Sequence, residues 1–308
     1  LFDHRFNRDS QGIIYSPKCY NYPQMSQRYN KVFSSLRVIT RVSDAPDTDR
    51  NGRFAEGENV EIVSLGDWDG MLGFLKKKRV ISTDLETYFH DTTAVILVAF
   101  GMIGTVGYRK LRRTNYPFGI EVVGDPFDSF APGCVQHPLR PFFRQWFAHQ
   151  LRSQCRDAAG VLYVTENALQ KRYPASPGAF TTYCSNVELT DVCYSEPRSY
   201  SSLTKPITLL NVGLMAQPYK GHDDMIDALA LCVEKGLDLR LVLVGDGAYR
   251  NAFAKRAQSR GLEGRVVFRG LLPAGDAVRA ELDRADLFLL PSRTEGLPRA
   301  LVEAMARG

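Results

Sequence analysis

Apolar positions along the chain fall into short continuous runs separated by stripes at helical spacing, and this alternation persists almost from end to end. Strand-like runs occupy 12–16, 36–42, 60–65, 93–98, 118–123 and 161–165. Thr93–Val98 is continuously apolar, as a strand covered on both faces of a parallel sheet must be. Helical spacing covers about 24–33, where Met25, Tyr29, Val32 and Phe33 line up, and then 70–83, 103–113, 139–157 and 166–173. The polar stretch 43–59, with Pro46 and several Asp and Gly residues, predicts a long loop. Strands alternating with helices predict a doubly wound parallel sheet, an α/β fold. Such sheets bind ligands beyond the carboxyl ends of their strands.

From 174 to 206 the periodicity lapses into Ser, Thr, Pro and Tyr, with one strand near 181–183. This is the expected domain junction, and it divides the chain into a first domain over 1–183, a linker over 184–206 and a second domain over 207–308. There the alternation resumes, with strands at 207–213, 239–244, 266–268 and 285–290, and helices at 223–235, 249–260 and 276–282. The run Ala285-Asp286-Leu287-Phe288-Leu289-Leu290 reads as a buried strand. A last helix begins near Pro298, since proline suits the first helical turn, and the free N–H groups of that turn make an anion site.

Composition adds limits. The 308 residues suffice for two domains with sizeable cores, and 44% hydrophobic with 24% charged residues is ordinary for a soluble globular chain. No apolar run approaches the ~20 residues that span a bilayer, and no leader pattern is present. The chain opens on Leu1 and stops at Gly308, just where a helix should pass into a loop, so it is expected to be a fragment lacking a little at the front and more at the back. The net charge is +5. Its basic residues cluster at 76–79 and 109–113, which reads either as a solvated face or as attraction to anionic lipid head groups. Nucleic acid is disfavoured because no recognition motif accompanies the charge. The six cysteines are scattered without zinc-site spacing, as reduced thiols of a cytoplasmic protein would be.

Candidate chemistry concentrates in the back-half loops. Gly213 lets backbone approach closely, Lys220 is a mobile cation, and the helix from Pro298 adds backbone donors, so together they would hold a diphosphate. Gly245-Asp246-Gly247 alone reads as a tight strand-to-helix turn, not as the GxGxxG fingerprint. Two carboxylates, Glu295 in a loop and Glu303 in the last helix, lie eight residues apart. Glu303 has a surface alternative, ion pairs to Arg299 and Arg307 at i−4 and i+4, with Leu297, Leu301, Ala304 and Met305 as the core face. In the front half, Asp125 either starts a turn before Pro126 or orients a substrate hydroxyl. Glu121 either points into the cleft or pairs with a basic neighbour.

The segment Pro291-Ser292-Arg293-Thr294-Glu295-Gly296-Leu297-Pro298-Arg299-Ala300, continuing to Glu303, resembles the signature of retaining glycosyltransferases of family 4, the glycosyl transferases group 1. The likeness extends back through Ala285–Phe288, Phe268-Arg269-Gly270, Val244-Gly245-Asp246-Gly247 and Asn211-Val212-Gly213 with Tyr219–Asp223. The front half resembles bacterial members through Glu121–Pro126, Tyr163-Val164-Thr165 and Arg172-Tyr173-Pro174.

The resemblance implies the GT-B fold, two Rossmann-like domains facing a cleft. It implies a UDP- or GDP-sugar donor, no cofactor and no required metal. By that match Glu303 would bind the ribose hydroxyls. Glu295, with the backbone of Gly296 and Leu297, would contact the donor sugar, and Lys220 would neutralise the β-phosphate as its bond breaks. The base would lie near Arg269, Gly270 and Leu271. Lys220, Glu295 and Asp125 are the catalytic candidates, and Gly213 and Gly245 complete the donor site. The acceptor would be a glycan or lipid-linked molecule of bacterial surface polysaccharide or glycolipid assembly, reached from the cytoplasm or from the inner face of the plasma membrane. Two positions depart from the pattern: Leu214 stands where many relatives carry Arg, and Gly124 where many carry His. An inactive nucleotide-binding or scaffold protein of the same fold is the alternative of a different class. A nucleotide-dependent oxidoreductase is disfavoured by the missing fingerprint.

Overall fold

A computed structural model of the chain describes residues 1–16, 21–45, 54–89, 93–135, 137–185, 187, 189–197, 205–273 and 275–308. They form two units, Leu1–Val123 with His149–Cys184, and Gly124–Ala148 with Ser185–Gly308. Up to residue 184 the chain contains β1 (Arg5–Arg8), β2 (Ile14–Tyr15), α1 (Tyr22–Tyr29), β3 (Leu36–Asp44), β4 (Val60–Ser64), α2 (Gly70–Glu86), β5 (Val95–Ala99), α3 (Met102–Thr114), β6 (Phe118–Val122), α4 (Pro126–Ser129), α5 (Arg140–Asp157), β7 (Gly160–Tyr163), α6 (Ala168–Arg172) and β8 (Phe180–Tyr183). Of these, α4 and the first half of α5 count with the second unit. Beyond residue 184 come β9 (Ile207–Val212), α7 (His222–Glu234), β10 (Leu239–Val244), α8 (Arg250–Ser259), β11 (Val266–Gly270), α9 (Asp276–Arg284), β12 (Leu287–Phe288) and α10 (Arg299–Met305).

In the first unit the strands pair as β2-β1-β3-β4 and as β5-β6-β7-β8. The residues just before β1 join these two sets. Phe2 N donates to Ile39 O of β3 at 3.1 Å and Val98 N of β5 donates to Leu1 O at 2.9 Å, while Leu1 N donates to Ile96 O at 2.6 Å. Leu1 and Phe2 therefore lie between β3 and β5, whereas β1 itself lies between β2 and β3. Among the described residues, every pairing between two strands of the unit is parallel except that of β1 with β2. Adjacent residues of β3 enter different cores. Val38 packs with Phe6, Met25 and Ile62, whereas Ile39 packs with Phe74, Ile81 and Leu85 of α2 and with Ile103 and Val106 of α3. This is the two-residue side-chain period of a strand covered on both faces.

The second unit repeats the plan with order β11-β10-β9-β12, all parallel. Here Leu241 and Leu243 of β10 face Met225, Ile226 and Leu229 of α7 and Phe253 of α8. Val242 and Val244 face Val278 and Leu282 of α9 on the other side. Both units thus have Rossmann-like, predominantly parallel sheets.

Four expectations change. The first helix starts two residues earlier than the apolar spacing indicates, capped by Asn21, whose side chain accepts from Gln24 N at 3.1 Å, and it ends at Tyr29, leaving Val32 78% exposed. β12 is not a buried strand: Leu287 is 55% exposed, and among the described residues β12 pairs only with β9. The short α10 has no apolar core face of the expected kind, since Met305 is 72% exposed and Leu301 and Ala304 are only half-buried. The segment around 190–195, expected as linker, is attached to α10, because Arg307 donates to the carbonyls of Val192, Cys193 and Tyr194 and Ser195 N donates to Ala306 O at 3.0 Å. Part of the expected loop 43–59, residues 46–53, lies outside the described residues.

Candidate functional site

In the second sheet the chain leaves β9 towards β10 on one side and later returns to β12 on the other. The loops after β9 and β12 therefore diverge at the carboxyl ends of adjacent strands, the switch point where doubly wound sheets open a crevice. Both loops carry predicted site residues.

The loop after β9 runs past Gly213 into a tight helical turn, Pro218–Lys220, closed by Gly221 at φ 71°. A Cβ on Gly221 would lie 2.6 Å from Pro291 O in the loop after β12, so only glycine lets the two loops meet backbone to backbone. The floor between them is equally tight. Gly245, at the end of β10, has φ +137°, and a Cβ there would stand 2.1 Å from Gly213 O. Its N–H donates to Gly270 O at 2.8 Å. Gly213, Gly245 and Gly270 are thus brought together as bare backbone.

Above this floor Lys220 Nζ meets Glu295 Oε1 at 2.6 Å, with side-chain exposures of 16% and 21%. The pair joins residues 75 positions apart in sequence. Two groups that sequence reasoning left without a role hold the loops in this arrangement. Asn211, fully buried at the end of β9, donates from Nδ2 to Leu289 O at 2.7 Å. Arg293 donates to Pro218 O at 2.7 Å and to Asp224 at 2.6 Å, with Asp223 at 3.4 Å, and its own N–H donates to Tyr219 O at 2.8 Å. Asp223 and Asp224 occupy the first turn of α7, where the helix dipole favours anions. Arg293 lies inside the motif quoted above, but its acidic partners sit 69 and 70 residues away, and no local spacing marks them.

His222 opens α7 beneath Lys220. It is fully buried and stacks on Phe253 with centroids 5.0 Å apart, and neither ring nitrogen meets hydrogen-bond geometry among the described residues. Burial pushes its pKa down to about 4 from 6.5, and the Lys220 charge acts the same way, while the nearby Gly213 backbone and Asp223 oppose it. A depressed histidine favours the fold above its unfolded pKa, so this stability is complete above 6.5 and is lost as pH falls through about 4. The expected loss is about 3 kcal/mol. Urea unfolding of His222→Phe at neutral and acid pH is expected to show that loss removed, with stability at neutral pH within about 1.5 kcal/mol of the parent.

Glu303 lies in α10, half-buried. Burial raises its pKa, partly offset by Arg299 and Arg279. The surface pairing within the helix is not formed. Arg307 turns instead to Asp283 of α9, at 2.7 and 2.8 Å, and among the described residues Glu303 has no ion pair. Its carboxylate is therefore poorly solvated and still has acceptor capacity.

The other predicted residues are placed as follows. Gly296 and Leu297 are half-buried next to Glu295. The Arg269 side chain turns away to buried Glu281 at 3.3 Å, and Leu271 is 62% exposed. Asp125 accepts from Phe127 N at 2.8 Å and caps α4, the turn-starting alternative. Glu121 pairs with Arg28 at 3.0 Å and accepts from Tyr29 Oη at 2.8 Å, so it has found a basic neighbour within its own unit.

Comparison with known proteins bears on this arrangement. Residues 195–308 match the family model of glycosyl transferases group 1. The chain is 24% identical to protein CapJ of Staphylococcus aureus over 99% of its own length and 74% of that protein. It is 33% identical to the putative colanic acid biosynthesis glycosyltransferase WcaL of Escherichia coli, over 38% of this chain and 30% of that one. Among solved structures, sucrose-phosphate synthase from Thermosynechococcus elongatus superposes with a TM-score of 0.68 at 15% identity, covering 98% of this chain and 79% of that one.

Proposed function

With residues 195–308 belonging to glycosyl transferases group 1, we propose that the chain moves a sugar from a UDP- or GDP-sugar to a glycan or lipid-linked acceptor in bacterial surface polysaccharide or glycolipid assembly, with retention at the anomeric carbon and without a metal. The observation that carries this reading is the Lys220–Glu295 contact at the switch point, over a floor of glycine backbone. A diphosphate leaving group develops charge as the glycosidic bond breaks. A preorganised ammonium in a partly desolvated loop stabilises that charge more strongly than it does the ground state.

In this reading the donor's β-phosphate takes Lys220 from Glu295, and the freed carboxylate accepts from the sugar hydroxyls. Gly213 and Gly245 give the phosphates close access to backbone, and Glu303 accepts from the ribose hydroxyls. The carboxylates grip the donor and do not act as a hydrolytic acid–base pair. Retention follows when the acceptor attacks the face from which the phosphate departs. The likeness to WcaL, a putative colanic acid biosynthesis glycosyltransferase, supports the surface-polysaccharide direction. Leu214, 39% exposed beside the site, favours the second reading, an inactive nucleotide-binding protein, because it removes a second phosphate cation.

A panel of nucleotide sugars, assayed for released UDP or GDP with NMR of the product anomer, tests the proposal. Turnover of one donor with retained configuration is the expected result. Nucleotide binding without turnover of any donor would establish the inactive alternative, and an inverted product would remove the same-face mechanism. No helix among the described residues is long and apolar enough to cross a membrane.

A further inference from the structure

α2 has two opposite faces. Phe74, Ile81 and Leu85 point into the core of the first unit. The other side carries Leu72, Leu75, Lys76, Arg79 and Val80, which recur at three- and four-residue spacing and so share one face. Leu72 is 77%, Leu75 53% and Val80 60% exposed. No acidic residue occurs between Gly70 and Thr83, and Glu86 at the end of the helix is engaged by Lys110 of α3. α3 lies against α2 in one core, and a groove of about 520 Å³ between α3 and α5 is lined by Arg109, Arg112, Arg113 and His149.

An ordinary solvated helix face is polar, whereas this one presents three large aliphatic side chains among cations. We propose that the outward face of α2, with the basic groove between α3 and α5, docks the protein on a bilayer rich in anionic lipid. Leu72, Leu75 and Val80 enter the boundary between headgroups and acyl chains. Lys76 and Arg79 extend their charged ends to the lipid phosphates while their methylene stems stay among the apolar groups. The groove takes the phosphate of a lipid headgroup. A second copy fits this face poorly, since a two-fold interface sets a patch against itself and would bring Lys76 and Arg79 against their own equivalents.

Co-sedimentation of the whole chain with vesicles, without any donor present, tests this independently of the proposed reaction. Vesicles of equal parts phosphatidylcholine and phosphatidylglycerol are expected to bind the chain at low salt, pure phosphatidylcholine is not, and rising salt is expected to weaken binding. Leu72→Ser with Leu75→Ser, Lys76→Glu with Arg79→Glu, and Arg109→Glu with Arg113→Glu are each expected to lower binding by about tenfold or more. Leu231→Ser, at an equally exposed apolar position on α7, is expected to leave it unchanged. All these side chains point outward, and an unchanged melting temperature checks that the variants fold. Absence of binding to the mixed vesicles would overturn the proposal, as would unchanged binding in the leucine pair. Self-association lost in the leucine pair would replace the bilayer with a second copy.

Discussion

Lys220→Ala is expected to lower kcat for donor turnover by about 10²- to 10³-fold, the cost of removing one preorganised group from a developing negative charge. The same change also removes one half of an ion pair whose members are 16% and 21% exposed. The Glu295 carboxylate is then left partly desolvated and alone, which is expected to cost about 1–3 kcal/mol of stability. A drop in activity could therefore come from a loosened loop. The double variant Lys220→Ala/Glu295→Gln separates the two causes, because it removes both charges together. Chemical denaturation is expected to show most of the lost stability regained in the double variant, whereas turnover stays at or below the level of the single one. Recovery of turnover along with stability would show that Lys220 only holds the loops.

Glu303→Gln is expected to weaken UDP or GDP binding by about 10²-fold, from the loss of two charge-assisted bonds to ribose, while the melting temperature stays level or rises. Binding is read by calorimetry and stability by thermal unfolding. The stability direction comes from burial, which raises the Glu303 pKa above its ordinary 4.5. A carboxyl so raised favours the fold while neutral, with the benefit complete below 4.5 and lost as pH rises through the higher folded value. The parent should therefore fall behind the glutamine variant as pH climbs through that window. Stability given up for a functional group is a common pattern at binding sites. Unchanged nucleotide affinity would remove Glu303 from the donor site.

Much of the architecture was legible because both sheets are covered on both faces. A strand such as β10 then reads as Leu239–Val244 without interruption, and the helices between strands keep the 3.6-residue period. Where one face lacks a partner the pattern misleads. β12 has the same apolar character as β10 but pairs on one side only among the described residues, and α10 carries Leu and Met with no buried residue of its own. Hydrophobic text records a residue's tendency to be covered and not whether a neighbour is there to cover it. The same limit hid the outward apolar residues of α2, of which only the helical spacing and the basic cluster were legible. Leu72, Leu75 and Val80 differ from Phe74, Ile81 and Leu85 only in where the rest of the unit lies.

Within the candidate site, the sequence alone was sufficient for the residue types and their order: glycines at strand ends, a lysine after the first strand of the second unit, and two glutamates around Pro298. Periodicity and turn chemistry are local, and they place those residues at the carboxyl ends of strands. Tertiary structure decided which of them meet. Lys220 and Glu295 touch across 75 residues because β9 and β12 are neighbours in the sheet. Arg293 reaches Asp223 and Asp224 for the same reason. Glu303 lost its helical partner because Asp283 of a different helix offered Arg307 a two-pronged bond. Pairing between distant segments depends on strand order and on competition among several partners, and neither is written in the spacing of any one segment.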